Sequence, residues 1–224
     1  MRKIILIVII LSFSLCSTAW ANTTKVLERD TFLHPQGWIA GSLKFKEGTS
    51  VTLNGQGEVI SGTLKNYEDL RPASNGFFAF TGWGTEHRPE CIHFKGDTCQ
   101  IVFNVQGDVV SGQIGEDAEF SIWDNNEPYV TFKYATYIEF DEHGNVKSGT
   151  ITEDTDFRPL GWRNYLPKGE KAGFLKFKSG TQVFFGPEGQ VSTGTIADNL
   201  TVNGITYPAG TKLQFSESGY PQKI

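Results

Sequence analysis

The chain has 224 residues, with 20 basic against 25 acidic side chains and a formal charge of −5. Its first 21 residues hold two basic side chains and no acid, so the remaining 203 carry −7. An acidic balance without a basic cluster argues against nucleic acid and anionic membrane surfaces as partners, and a hydrophobic content of 38% excludes a disordered chain.

Residues 1–21 come first in chain order. Arg2 and Lys3 precede an unbroken apolar run over 4–11, and Ala19-Trp20-Ala21 supplies a small-residue cleavage pattern. That three-part plan predicts a secretory signal peptide, with an apolar stretch shorter than the ~20 residues a bilayer span needs. The expectation is an exported protein, periplasmic or secreted to the cell surface. Its mature chain, 22–224, is read as a single β-repeat domain with no transmembrane segment.

Arg29-Asp30-Thr31-Phe32 resembles the tail of an incomplete first unit. Five segments then share one spacing, beginning at Val51, Ile101, Ile138, Val183 and Leu213. In each, an apolar residue (aromatic in four) stands two positions on, at Leu53, Phe103, Phe140, Phe185 and Phe215, and a Gly stands six on. In the first four, Val follows at offset eight, a second Gly at eleven (Gly62, Gly112, Gly149, Gly194) and an aliphatic at thirteen. A strand-like stretch precedes each copy, as Leu43-Lys44-Phe45-Lys46 and Leu175-Lys176-Phe177-Lys178 show most plainly. Acidic tails such as Glu116-Asp117 and Asp154-Thr155-Asp156 follow the copies, and their recurrence suits capping turns more than a paired-carboxylate active site.

The period-two alternation predicts strands, and no window carries a sustained helical stripe. A four-residue connection ending in Gly57 suits a type I turn closed by a glycine. Offsets eight and thirteen differ by an odd number, so Gly62 and its equivalents are expected to be bulges or bends. The predicted fold is all-β: four to five antiparallel hairpin repeats stacked into an elongated or curved sheet assembly, with irregular insertions, and not an outer-membrane barrel. One aromatic ladder should join Phe45, Phe94, Phe132, Phe177 and Tyr207. A second should join Leu53, Phe103, Phe140, Phe185 and Phe215.

The hairpin core, aromatic-x-x-x-Gly-x-Val-x-Ser-Gly-Thr-Leu/Ile, is best formed over 103–114, 140–151 and 185–196. It resembles MORN-type hairpin repeats and, more distantly, the wall-binding hairpins of bacterial surface proteins. The resemblance covers the hairpins only, and it implies a scaffolding or binding role without an activity.

Two insertions, 71–91 and 157–173, concentrate aromatic and basic residues. Trp83, Arg88, Trp162, Arg163 and Tyr165 are the candidate binding residues, because exposed Trp and Tyr with Arg suit protein hot spots or glycan stacking. The competing reading is that these rings cap the sheet. Cys91 and Cys99 are expected to pair as a disulfide in an oxidising compartment; free thiols, or a zinc site with His87 and His93, are the alternatives. No catalytic motif occurs. The reading is a non-catalytic envelope scaffold without a cofactor, bound to a protein partner or to itself through open sheet edges, with glycan binding as the alternative and an unrecognised hydrolase third.

Overall fold

The computed structural model describes residues 21–73, 91–122, 129–166, 173–217 and 220–224. A half-unit opens the chain with β1 (Thr23–Val26) and β2 (Thr31–Leu33). Four full units follow, each of four strands. The first is β3 (Leu43–Phe45), β4 (Ser50–Leu53), β5 (Val59–Thr63) and β6 (Glu68–Leu70). The second is β7 (Ile92–Phe94), β8 (Gln100–Phe103), β9 (Val109–Gln113) and β10 (Ala118–Phe120). The third is β11 (Val130–Phe132), β12 (Tyr137–Phe140), β13 (Val146–Thr150) and β14 (Thr155–Phe157). The fourth is β15 (Leu175–Phe177), β16 (Gln182–Phe185), β17 (Val191–Thr195) and β18 (Leu200–Val202), and β19 (Ile205–Tyr207), β20 (Lys212–Gln214) and β21 (Gln222–Lys223) close the chain.

The two middle strands of every unit join one antiparallel sheet of eleven strands, ordered β1-β4-β5-β8-β9-β12-β13-β16-β17-β20-β21. β1 and β21 lie at its two ends, so the sheet is open and is not a barrel. The outer strands of the units form a second layer of five two-stranded hairpins. Each of these small hairpins takes its first strand from one unit and its second from the next, as β6 does with β7. Consecutive units are therefore clasped twice, once in each layer. Arg29-Asp30-Thr31-Phe32 does belong to a half-unit, since Leu27 O accepts from Gly48 N as Leu64 O does from Asp97 N one unit later. Among the described residues, no helix is long and apolar enough to cross a membrane.

The core lies between the layers. Phe45, Phe94, Phe132 and Phe177 are wholly buried, and Leu53, Phe103, Phe140, Phe185 and Phe215 are buried beside them. Tyr207, the fifth member of the first ladder, is half-buried and gives its hydroxyl to Pro221 O at 2.8 Å. Rings meet across units: Phe132 lies 6.5 Å from Phe185 and Phe177 lies 5.9 Å from Phe215. Phe157 joins the fourth unit edge-on at 5.2 Å from Phe185. Burying each such side chain contributes about 1.5–3 kcal/mol.

The connections within the large sheet follow the expected turn. Gly57, Gly107, Gly144 and Gly189 have φ of +84°, +85°, +80° and +76°, the left-handed region where glycine carries no steric penalty. Asn54, Asn104 and Asp141 each accept two backbone N–H groups through Oδ1, from the residues two and four positions on.

The second set of glycines acts otherwise than expected. The bulge falls earlier: Thr52 pairs with Ser61 and Leu53 with Val59, leaving Ile60 as the extra residue. Val110, Lys147 and Ser192 are extra in the same way. That residue resolves the odd spacing, so Val59 and Leu64 both face the core. Gly62, Gly112 and Gly194 instead make room for rings. A Cβ on them would fall 2.8, 2.9 and 2.6 Å from Cδ1 of Phe45, Phe94 and Phe177, and one on Gly149 would meet Phe132 closer still. Ser and Thr beside these glycines lie on the opposite side of the sheet from the ring, where Ser61, Thr63 and Ser148 are buried by their neighbours.

Gly149→Ala should therefore destabilise the protein by about 1–3 kcal/mol in urea denaturation, the usual cost of overpacking. The same change made in a Phe132→Leu background should cost less, because the smaller side chain vacates part of the space.

Candidate functional site

The insertions share one topological position. Residues 34–42, 71–91, 121–129 and 158–174 each connect the two strands of a small hairpin, whereas β18 and β19 are joined by only 203–204. The unequal spacing of the sequence copies is thus a variation in loop length at one place.

Three of these loops are rooted alike. Pro35, Pro72 and Pro159 form parallel bridges with Val59, Val109 and Val191. On either side of each proline, His34, Arg71 and Arg158 accept from that valine's N–H, while Gln36, Ala73 and Leu160 donate to its carbonyl. Proline suits the position because its missing N–H leaves no donor unpaired there. Two loops then reach the next hairpin. Gln36 Nε2 donates to Phe103 O at 2.7 Å, and Asn164 Nδ2 donates to Glu217 O at 3.0 Å. Gly37 and Gly161 carry the same left-handed φ, +65° and +67°, with backbone packed where a Cβ would stand. Gly37-Trp38 and Gly161-Trp162 are therefore one structural motif, each Trp N donating back to a proline carbonyl at 3.2 Å. In the 71–91 loop, Arg71 makes an ion pair with the buried carboxylate of Asp108.

The candidate binding residues divide. Trp162 begins a single turn of 3₁₀ helix, Trp162–Asn164. Its ring lies against Gly173, with the guanidinium groups of Arg158 and Arg163 at 5.3 and 4.6 Å from the ring centre. Arg163 is exposed and Trp162 is half-buried. Tyr165 faces inward: it stacks on Phe215 with ring centres 6.4 Å apart and gives its hydroxyl to Leu160 O at 2.8 Å. Burial pushes its pKa well above the ordinary tyrosine value. Tyr165 therefore anchors the loop and caps the core. Trp83 and Arg88 lie outside the described residues.

The expected disulfide is not formed: Cys91 and Cys99 are both free and exposed. β7 pairs with β6 and β8 with β5 and β9, so the two cysteines do not flank a hairpin turn but precede strands in different layers. Of the proposed zinc alternative, His93 is committed elsewhere. Its Nδ1 lies 2.7 Å from Asp69 Oδ1, and its ring stacks on Tyr67 with centres 5.1 Å apart. Among the described residues no group of three or more His, Cys, Asp or Glu is placed to hold a metal ion. The Tyr67–His93 stack was missed in the sequence, although Tyr67 stands where other units carry an acid or Asn.

The acidic tails close corners. Asp30, Asp117 and Asp154 accept the backbone N–H groups of Glu47, Tyr134 and Ser179, and Asn199 accepts that of Ala209. Each tail ties a small hairpin to the turn that enters the large sheet. The Glu47 N–H, with Lys65 and Lys44 nearby, holds Asp30 below its ordinary pKa. The Ser179 N–H does the same for Asp154.

Compared with protein-family models, with curated proteins and with solved structures, the chain matches none.

Because Asp30 and Asp154 titrate lower in the folded state, their stabilisation is complete above the ordinary Asp value of about 3.9 and is lost as pH falls through the folded value. Thermal melts should show the melting temperature falling below about pH 4. Asp30→Asn with Asp154→Asn should flatten that fall and lower stability at neutral pH.

Proposed function

We propose that the chain is an exported, non-catalytic repeat scaffold that presents the loops at its small-hairpin tips to a protein partner. One observation carries this reading: the length variation lies in a single topological position, and three of the loops there are fixed to the sheet at their roots by a proline bridged to a valine. A rigid base with variable loops is the usual arrangement for recognition. The exposed guanidinium of Arg163 beside the half-buried Trp162 ring is the described part of such a surface, and Arg and Trp are the side chains most enriched at binding hot spots. Trp83 and Arg88 belong to the corresponding loop of the β6–β7 hairpin. The apolar start of the sequence supports export, and the open sheet ends leave β1 and β21 as edges where a second copy can pair.

The test is capture from a native envelope extract by the immobilised chain, compared with a Trp83→Ala, Arg88→Ala, Arg163→Ala variant of unchanged melting temperature. Saturable capture of a defined protein, weakened at least about tenfold (~1.4 kcal/mol) in the variant, is expected. Capture that survives the three changes contradicts a role for the loops.

A further inference from the structure

The two layers differ sharply in charge. On the outward face of the small hairpins, the middle positions pair Phe32 with Lys44, Asp69 with His93, Glu119 with Thr131 and Asp156 with Lys176, and only the last hairpin, Thr201 with Thr206, is uncharged there. Exposed strands usually carry such charges, and protein surfaces are about a quarter to a third ionisable. The outward face of the eleven-stranded sheet is built from the same kind of alternating strand but is nearly free of charge. Its central row runs in unbroken register from Thr24 through Thr52 and Ser61 to Gln214 and Gln222. Among the described residues of this row and the one beside it, only Glu139 and Lys212 are ionised, and Lys147 at a bulge offsets Glu139 at 3.8 Å.

What fills the face is hydroxyl and amide. β5, β9, β13 and β17 each place a Ser or Thr on this side just before the glycine that seats the ring: Ser111 and Thr193 are half-buried, while Ser61 and Ser148 are buried under neighbouring side chains. Gln100 reaches across to Ser61 Oγ at 3.1 Å, and Gln182 to Ser148 Oγ at 3.3 Å. Two half-buried rings lie on this face two strand spacings apart: Phe184 of β16 in the row, with Lys212 Nζ 5.8 Å from its centre, and Tyr137 of β12 in the row beside it, donating its hydroxyl to Ser111 Oγ at 2.8 Å.

We infer that this face binds a neutral polysaccharide chain lying across the strands. Uncharged donors and acceptors, the half-buried Thr52, Ser111 and Thr193 with the side-chain amides of Gln100, Gln113 and Gln182, complement a polymer of hydroxyls, and the two rings supply apolar surface for sugar rings to pack on. A phosphate polymer would need a row of cations. A second copy packed face to face would need a continuous apolar centre, whereas Val102, Tyr137 and Phe184 are separated here by hydroxyls and amides. The right-handed twist of strands winds the row, which favours a flexible chain over a flat crystalline surface. The surface is distinct from the hairpin loops, so it stands or falls independently of the protein-binding role.

The experiment is affinity electrophoresis of the full chain through gels holding hydroxyethylcellulose, soluble β-1,3-glucan or dextran, with solution binding then measured at low and high salt. At least one neutral polymer should retard the protein, with an affinity that salt leaves unchanged. Thr193→Lys, and separately Tyr137→Ala with Phe184→Ala, should weaken binding at least about tenfold. Thr201→Lys, which places the same charge on the small-hairpin layer, should have no effect. Failure of all three polymers to retard the protein overturns the inference, as does equal weakening by Thr201→Lys. A dimer that Thr193→Lys converts to monomer also overturns it and assigns the face to a second copy.

Discussion

The structure depends on a phenyl ring lying on a glycine. In each full unit the ring comes from the small hairpin and the glycine from the second strand of the large one. The contact fixes the distance between the layers and seals a core that no single hairpin could close. It also orders the neighbouring residues: with the glycine facing inward, the flanking Ser and Thr must face outward, so the hydroxyl face follows from the packing of the core. Any side chain at these glycines opens the layers unless its ring partner shrinks.

Stability is shared between neighbours. The small hairpins are composite, with one strand from each of two units, and Phe132, Phe157 and Phe177 carry ring contacts onward to the next unit. Nearest-neighbour coupling of this kind is characteristic of repeat architectures. It allows long loops at the hairpin tips, and in three of them a proline at the root bridges to a valine of the large sheet.

Much of this was legible in the amino-acid pattern because a repeat serves as its own internal comparison. The five-fold spacing located the strands, the glycine turns, the buried ring positions and the half-unit at the start, although the rings meet between the two expected ladders, Phe132 with Phe185 and Phe177 with Phe215, and not along either one. The acidic tails were read as corner caps, and Asp30 and Asp154 act as such. What escaped depended on distance in space. Gly62 looks like a bend in one dimension, and only the position of Phe45 shows why a Cβ is excluded. Cys91 and Cys99 are near in sequence yet precede strands of different layers. Trp162 and Tyr165 stand three positions apart in one loop, but Tyr165 is drawn inward by the Phe215 ring and the Leu160 carbonyl, neither of which composition predicts. The neutrality of the sheet's outer face was implicit in the repeated Ser-Gly-Thr, but it needed the register to become a surface.

Hydrogen exchange on a Phe132→Ala variant tests the ring-on-glycine lock most directly. Amides of β12 and β13, followed by those of β9 and β16, should lose the most protection, while β1, β4 and β20 retain theirs. Equal loss along the whole sheet, or no loss beyond β11, would contradict a structure held together unit by unit through these contacts.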